Sequence, residues 1–139
     1  MAPNEVKRVD GWLREAGVEL GAPLIAVHPG SGASPKLWPP ERWGAVADAL
    51  ADETGATIVL TGTAAEMPLL RAVAEVLARP PLVAAGAFSV GQLAALYRRC
   101  RLVVGADSGP LHLAVAVGTP TVHVFGPTDP RRYGPWGPP

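Results

Sequence analysis

The sequence predicts an α/β protein built on an open, doubly wound parallel sheet, a Rossmann-like fold. Five short apolar runs, most of which end in glycine, have the pattern of parallel strands that are covered on both faces. Segments with helical spacing of apolar residues lie between these runs, so strand and helix alternate four times. The predicted strands are residues 24–28, 57–62, 82–86, 102–106 and 121–126.

Local signals support the helices between these strands. Pro40 suits a first helical turn, and Gly55 stands where the same helix stops. Ser89 and Gln92 have the spacing of a capping box. The predicted helices are residues 40–55, 66–78, 89–100 and 108–118, of which the last is apolar nearly all round.

A first helical segment, residues 6–17, precedes every predicted strand. It is expected either to pack outside the sheet or to belong to a linker. We therefore divide the chain into an N-terminal helix or linker, residues 1–23, and one sheet domain, residues 24–139. A chain of 139 residues buries roughly two-thirds of its unfolded surface, which is enough for a single core.

Composition and charge narrow the classes of function. Hydrophobic residues make up 48% and charged residues 17% of the chain, as in a globular protein. The 12 basic residues balance the 12 acidic ones, so no bulk electrostatic argument favours nucleic acid or an anionic membrane as partner. Cys100 is the single cysteine, which suits a reducing compartment, and no segment has the pattern of a membrane span or a signal peptide. We therefore predict a cytoplasmic protein.

Right-handed crossovers place the carboxyl ends of all the predicted strands at one edge of the sheet, where ligands of such folds bind. The loops expected at that edge are residues 30–36, 62–67, 85–89, 105–112 and 125–134. Almost all of the chain's unusual residues lie in these loops, so this edge is the predicted ligand site.

The loop HPGSGASPKLWPPERW (28–43) carries a lone lysine, Lys36. A Walker phosphate loop has glycine before this lysine and serine or threonine after it, whereas Pro35 and Leu37 stand at those positions here. What remains is a strand-to-helix loop of small residues with one cation, able to approach an anionic ligand closely. From this loop alone, a solvated surface lysine is the better interpretation of Lys36.

The segment GADSGPLHLAVAVG (105–118) joins a predicted buried strand to a predicted buried helix. Unpaired amides of a first helical turn, together with the helix dipole, attract anions. The candidate donors are the backbone N–H groups of Gly109, Leu111 and His112. Asp107 or Ser108 could instead simply cap the helix. Because one cap needs only one of these two residues, we favour an anion site over capping alone.

Other polar residues have simpler interpretations. Glu66 lies three residues after Thr63, the spacing of a capping box, which explains it without a ligand. His112 could act as an acid, a base or a donor to phosphate, but a satisfied core histidine is an equally good interpretation. The three histidines lack metal-ligand spacing, so neither a metal site nor a cofactor is predicted. No G-x-G-x-x-G motif follows a strand, which argues against a dinucleotide-dependent oxidoreductase.

Several of these segments are familiar as a set. They are HPGSGASPKLWPPERW (28–43), LTGTAAE (60–66), AFSVGQLAALYRRC (87–100), DSGPLHLA (107–114) and FGPT (125–128). Together they resemble the C-terminal half of glycosyltransferase family 9, the ADP-heptose:lipopolysaccharide heptosyltransferases. The D-S-G-P-x-H-L-A segment followed by F-G-P-T is the most specific part, and the resemblance covers residues 24–137.

The resemblance implies the GT-B architecture, in which two Rossmann-like domains face each other across a cleft. The C-terminal domain would hold a nucleotide sugar, here an ADP-sugar. The N-terminal domain would supply an aspartate as general base and the site for a lipopolysaccharide-core-type acceptor, with the intact enzyme peripheral to the inner membrane. The implied reaction inverts the anomeric carbon and needs no metal.

The resemblance also assigns roles to single residues. Lys36 would contact the phosphate or sugar, with Ser31 a weaker match in the same loop. Glu66 would hold the ribose hydroxyls, and Phe88 would pack on adenine. Asp107 would bind the sugar hydroxyls, which makes Lys36 and Asp107 the predicted catalytic residues. The diphosphate would be held by Ser108, Gly109, Pro110, Leu111 and His112, through backbone amides and the nearby imidazole.

The chain departs from the family pattern at both ends. It starts at what would be the middle of a family member, without the N-terminal domain and its base, and stops at WGPP, before the usual C-terminal segment. We therefore expect a donor-binding domain excised from an inverting glycosyltransferase, able to bind a nucleotide but not to transfer sugar. The alternatives are a stand-alone nucleotide-binding module and a GT-B transferase that uses a UDP or GDP sugar, since Phe88 does not settle the base.

Overall fold

The computed structural model describes residues 2–19, 21–30, 38–106 and 109–124. Its strands are β1 (Leu24–His28), β2 (Thr57–Gly62), β3 (Leu82–Ala85), β4 (Leu102–Ala106) and β5 (Thr121–Val124). Its helices are α1 (Pro3–Glu15), α2 (Pro40–Thr54), α3 (Met67–Val76), α4 (Val90–Arg99) and α5 (Gly109–Ala116), with a 3-10 turn at Ala64–Glu66. The strands form one parallel sheet in the order β3-β2-β1-β4-β5, which confirms the predicted doubly wound α/β fold.

The predicted elements differ from the observed ones only near their ends. β3 stops one residue early because Gly86, with φ of 66°, leaves the extended region. β5 is described as far as Val124, and the last two residues predicted for it lie outside the described residues. α2 begins at Pro40 and is closed by Gly55 in the left-handed conformation, with φ of 71°, as the sequence predicts.

The strand order reverses at β1, and this reversal locates the ligand edge. The chain builds β2 and β3 outward on one side of β1, then returns to place β4 and β5 on the other side. His28, the last residue of β1, is in register with Gly105 of β4. Ligands of doubly wound sheets bind outside the carboxyl ends of the strands at such a switch point.

Helices cover both faces of the sheet, so the molecule has two cores. Ala26 of β1 packs in the core formed with α1, α4 and α5, whereas its neighbours Ile25 and Val27 pack in the core formed with α2 and α3. All of β1 is buried because side chains alternate between the two faces of a strand that is covered on both. β1 is therefore the central strand in both order and burial.

α1 packs outside the sheet, against α4. Its Val9 and Leu13 are 0% and 1% exposed in the same core as α4 and α5. Asp10 and Arg99 join the two helices by an ion pair, with 2.6 Å between Oδ2 and Nη2. A partly exposed pair of this kind contributes about 0–1 kcal/mol, so the apolar contact stabilises the packing of α1 more than the ion pair does. None of the helices in the described ranges is long and apolar enough to cross a bilayer.

Candidate functional site

A cavity of about 350 Å³ opens at the carboxyl ends of β1, β2 and β3, beside the start of α5. It lies at the sheet edge where the sequence predicts a ligand site. Its lining includes His28, Gly30, Thr63, Glu66, Phe88 and Gly109. Three strands, the 3-10 turn and two helices thus contribute to one concave surface.

A second cavity, of about 410 Å³, lies between α1 and α4 at the amino end of β1. Its charged lining consists of Glu19 and the arginines Arg98, Arg99 and Arg101. Although this cavity is larger, none of the loops at the carboxyl edge lines it, and Arg99 is already paired with Asp10. We therefore place the candidate site in the cavity at the carboxyl edge.

Glu66 makes two contacts in the wall of this cavity. Its Oε1 accepts a hydrogen bond from the backbone N–H of Thr63 at 2.9 Å, which is the capping contact that the sequence predicts. Its carboxylate also lies against Gly30, where a Cβ atom would collide with it. The cap uses one carboxylate oxygen, and no hydrogen bond among the described residues uses Oε2. Capping and ligand binding are therefore compatible roles for Glu66.

Small residues keep the part of the cavity beside β2 and β3 open. Gly86 has a φ of 66° and donates its backbone N–H to the carbonyl of Gly62 at 2.8 Å. A Cβ atom on Gly86 would lie 3.0 Å from the backbone nitrogen of Ala64, in the 3-10 turn that carries Glu66. Glycine here satisfies both the left-handed backbone and the close approach of the two loops.

Phe88 and Leu93 supply the apolar side of the cavity. The ring of Phe88 is half-buried and meets the indole of Trp12 edge to face, with 5.1 Å between centroids and 77° between planes. Such aromatic pairs are attractive beyond their buried area, so α1 holds the orientation of Phe88. The sequence predicts Phe88 as a site residue, but it assigns no part to Trp12.

His28 lines the cavity, although no motif in the sequence predicts a role for it. It is buried, with Nδ1 2.9 Å from Thr61 Oγ1, and that oxygen lies 2.8 Å from the Tyr97 hydroxyl. Burial lowers the pKa of His28, while the nearby Glu66 carboxylate raises it to a smaller extent, so the imidazole is neutral at pH 7. We call His28, Thr61 and Tyr97 the buried relay. The sequence signal that could have pointed to this group is the polar Thr61 within the apolar run TIVLTG.

Only part of the predicted diphosphate segment at the start of α5 lines the cavity. Gly109 and Pro110 line the cavity. Leu111 is buried instead, so close to β4 that a Cβ atom on Gly105 would lie 2.7 Å from its Cδ2. His112 is exposed, and its ring lies 5.6 Å from that of His123, outside the cavity lining.

Four predicted site residues fall outside the described residues: Ser31, Lys36, Asp107 and Ser108. Their assigned roles therefore rest on the sequence alone. In the parts of the chain that the structure does describe, no three or more His, Cys, Asp or Glu side chains are grouped to hold a metal ion.

Comparison with known proteins agrees with this geometry. The family model described as glycosyltransferase family 9 (heptosyltransferase) matches residues 6–139. Lipopolysaccharide heptosyltransferase 3 of Escherichia coli is 34% identical over 137 residues, which cover 96% of this chain and 39% of that protein. The chain thus spans about two-fifths of the length of this relative.

Solved structures give the same result. A family 9 glycosyltransferase from Veillonella parvula superposes with a TM-score of 0.87 at 32% identity, over 97% of this chain and 39% of that one. An Escherichia coli heptosyltransferase solved with ADP superposes with a TM-score of 0.65 at 28% identity, over 80% of this chain and 36% of that one. The resemblance in the sequence is confirmed, and the chain belongs to glycosyltransferase family 9.

Proposed function

We propose that this chain is the donor-binding domain of an inverting GT-B glycosyltransferase. The transferase moves heptose, or a related sugar, from an ADP-sugar to a lipopolysaccharide-core-type acceptor. The observation that carries the proposal is the cavity of about 350 Å³ that the Glu66 carboxylate and the Phe88 ring both line. Its volume and its mixed lining are those of a small-ligand site.

A nucleoside diphosphate suits the chemistry of this lining. The ionised Glu66 carboxylate only accepts hydrogen bonds, and its Oε2 suits the hydroxyls of a ribose. Phe88 and Leu93 offer apolar surface to the base. The charge of Glu66 repels phosphate, so we place the diphosphate toward Gly109, where the dipole of α5 favours negative charge.

The residues outside the described ranges complete the proposed mechanism. Lys36 and the amides that follow Ser108 stabilise the negative charge that grows on the β-phosphate as the sugar leaves. Asp107 holds the sugar hydroxyls and so orients the anomeric carbon for in-line attack. The general base and the acceptor site come from a second Rossmann-like domain. This chain by itself therefore binds the donor without transferring its sugar.

The names of the relatives support the choice of ligand. The relative that is 34% identical is a lipopolysaccharide heptosyltransferase, and one similar structure holds ADP. The intact enzyme would meet a glycolipid acceptor at the cytoplasmic face of the membrane.

Titration calorimetry with ADP tests the nucleotide site directly. Glu66→Gln keeps an oxygen for the cap on Thr63 but removes the charge, and we expect it to bind ADP about tenfold more weakly. Glu75→Gln, on the exposed side of α3, is the matched control and should bind like the wild type. Absence of ADP binding by the wild-type chain would refute the proposal.

Two further titrations separate the alternatives. ADP, UDP and GDP compared side by side decide the base, since a UDP or GDP preference would indicate a different donor. Lys36→Ala should weaken the binding of ADP about tenfold or more while leaving adenosine binding unchanged, because only ADP carries the phosphates. Equal ADP affinity in wild type and Lys36→Ala would contradict the role of this lysine.

A further inference from the structure

The buried relay ends at the cavity and consists of one imidazole and two hydroxyl groups. Nδ1 of His28 lies 2.9 Å from Thr61 Oγ1, which lies 2.8 Å from Tyr97 Oη. Thr61 and Tyr97 are 0% exposed, and His28 is 4% exposed. Polar side chains buried in this way are costly unless each hydrogen finds an acceptor.

The hydrogens of the relay can be placed by counting them. A neutral imidazole and two hydroxyls carry one polar hydrogen each. If Tyr97 donates to Thr61 and Thr61 donates to Nδ1, both hydroxyls are satisfied and the imidazole hydrogen is on Nε2. If Nδ1 carried the hydrogen and donated to Thr61, one hydroxyl hydrogen would remain buried without an acceptor among the residues that the structure describes. The relay therefore favours the tautomer with hydrogen on Nε2.

No hydrogen bond among the described residues uses the Nε2 atom of His28, and His28 lines the cavity. Among the described side chains, Trp43 Nε1 is the one fully sealed nitrogen or oxygen that lacks a hydrogen-bond partner. Since His28 Nε2 is not a second such atom in that part of the chain, we take it to point into the open space that His28 lines, the cavity. Glu66 lines the same space, and its negative charge favours an N–H group there over a lone pair.

We infer that His28 is a further ligand-binding residue, whose Nε2–H donates to an oxygen of the nucleotide where the ribose joins the first phosphate. His28 ends β1 beside Gly105 of β4, at the switch point of the sheet, and the cavity that it lines extends from Glu66 to Gly109. A ligand oxygen that bears no hydrogen is the natural partner of this donor. Thr61 and Tyr97 are positioning residues that fix the tautomer. The identity of the ligand rests on the proposed function, whereas the tautomer does not.

Nitrogen-15 NMR of the histidine-labelled, ligand-free chain tests the tautomer. We expect His28 to show the hydrogen on Nε2, with Nδ1 unprotonated, at pH 7.5. In Thr61→Val and in Tyr97→Phe a measurable share of the Nδ1–H form should appear. Each variant breaks the chain of hydrogen bonds in which Tyr97 donates to Thr61 and Thr61 donates to Nδ1. Thr57→Val, at the other end of the same strand, is the matched control and should leave the His28 signals unchanged. A wild-type His28 with hydrogen on Nδ1 would overturn the inference.

Calorimetry with ADP tests the contact itself. His28→Leu should bind ADP about tenfold more weakly, since it removes the donor. His28→Gln places an amide N–H near the position of Nε2 and should stay within about threefold of the wild type. Wild-type affinity in His28→Leu would overturn the contact. If the wild-type chain bound no ADP but showed the Nε2–H form, the proposed function and the contact would fall while the positioning roles of Thr61 and Tyr97 stood.

Discussion

Gly30 and Glu66 occupy adjoining space although they lie on different loops. The carboxylate covers the α-carbon of Gly30, and any side chain there would displace it. Position 30 therefore governs where the charge of Glu66 sits in the cavity. The same reasoning applies to Gly86, whose left-handed backbone brings β3 close to the 3-10 turn.

Replacing Gly30 by alanine should affect stability and binding together. The added Cβ collides with the Glu66 carboxylate, the end of a flexible side chain that can move aside, so we expect the free energy of unfolding to fall by about 1 kcal/mol or less, the scale of the lost cap on Thr63. ADP affinity should fall as well, because Glu66 is displaced. Urea denaturation and calorimetry measure the two effects.

Gly11→Ala is the control for that substitution. Gly11 lies within α1, and a Cβ atom there meets nothing within 4 Å. Alanine at this helical position should stabilise the chain by roughly 0.5–1 kcal/mol without changing ADP affinity. A Gly30→Ala variant that behaved like Gly11→Ala would contradict the contact between Gly30 and Glu66.

His28 should make stability depend on pH. Its pKa in the folded chain lies below the usual value of about 6.5, mainly because of burial, so the unfolded chain binds the proton more readily. The free energy of unfolding is thus highest above about pH 7 and falls as the pH drops through 6.5. Urea denaturation between pH 7.5 and 5.5 should show a smaller loss in His28→Gln than in the wild type. Equal slopes would contradict the lowered pKa.

α1 is the helix whose place the sequence left open between packing outside the sheet and belonging to a linker. Its apolar residues fill the core beside α4, and its Trp12 holds the ring of Phe88 at the cavity. α1 thus acts on the site through packing, without lining the cavity itself. Its contact with α4 joins segments that are 89 residues apart in the chain.

Two valine substitutions compare the buried face of α1 with an exposed helix start. Val9 is 0% exposed and Val90 is 73% exposed. Val9→Ala should lower the free energy of unfolding by roughly 1.5–3 kcal/mol, since it removes buried methyl groups and leaves a cavity. Val90→Ala should change it by less than about 0.5 kcal/mol. Urea denaturation measures both losses in the free energy of unfolding. Equal losses for the two variants would show that α1 is not part of the folded core.

Two cores share one central sheet, and the cavity lies where the strand order reverses. The relay crosses the core on one face, from the end of β1 through β2 to α4. Ligand binding at the cavity is therefore linked to the packing of that face. Cys100, at the end of α4, is buried in the same core and is the single cysteine of the chain.

Thiol reactivity of Cys100 should report this link. Burial raises the pKa of its thiol to about 12, so a disulfide reagent at pH 8 should react only after the core opens. ADP at about 100 times its dissociation constant stabilises the folded chain by about 2.7 kcal/mol, which should slow the reaction by about a hundredfold. Glu66→Gln at the same ADP concentration should show less slowing. A rate unaffected by bound ADP would mean that α4 opens locally without the rest of the fold.

Much of the fold could be predicted because the signals are local. Short apolar runs mark β1, β2 and β4 with the bounds observed, and Pro40 and Gly55 mark both ends of α2. The capping contact of Glu66 with Thr63 was likewise predictable, since its partners are three residues apart. Glu66, Phe88 and Gly109 line one cavity. The roles in binding or catalysis that the resemblance assigns to these and to all other predicted site residues remain predictions.

By itself the sequence determined the class of fold, the ends of most elements and the membership in family 9, because each depends on neighbouring residues or on short motifs. The tertiary structure alone decided that Thr61 meets both His28, 33 residues away, and Tyr97, 36 residues away, and that Glu66 lies against Gly30. It also decided that α1 steadies Phe88 through Trp12. These contacts depend on how parallel strands and their crossover helices are packed in space, and no pattern along the chain measures the distance between residues that far apart.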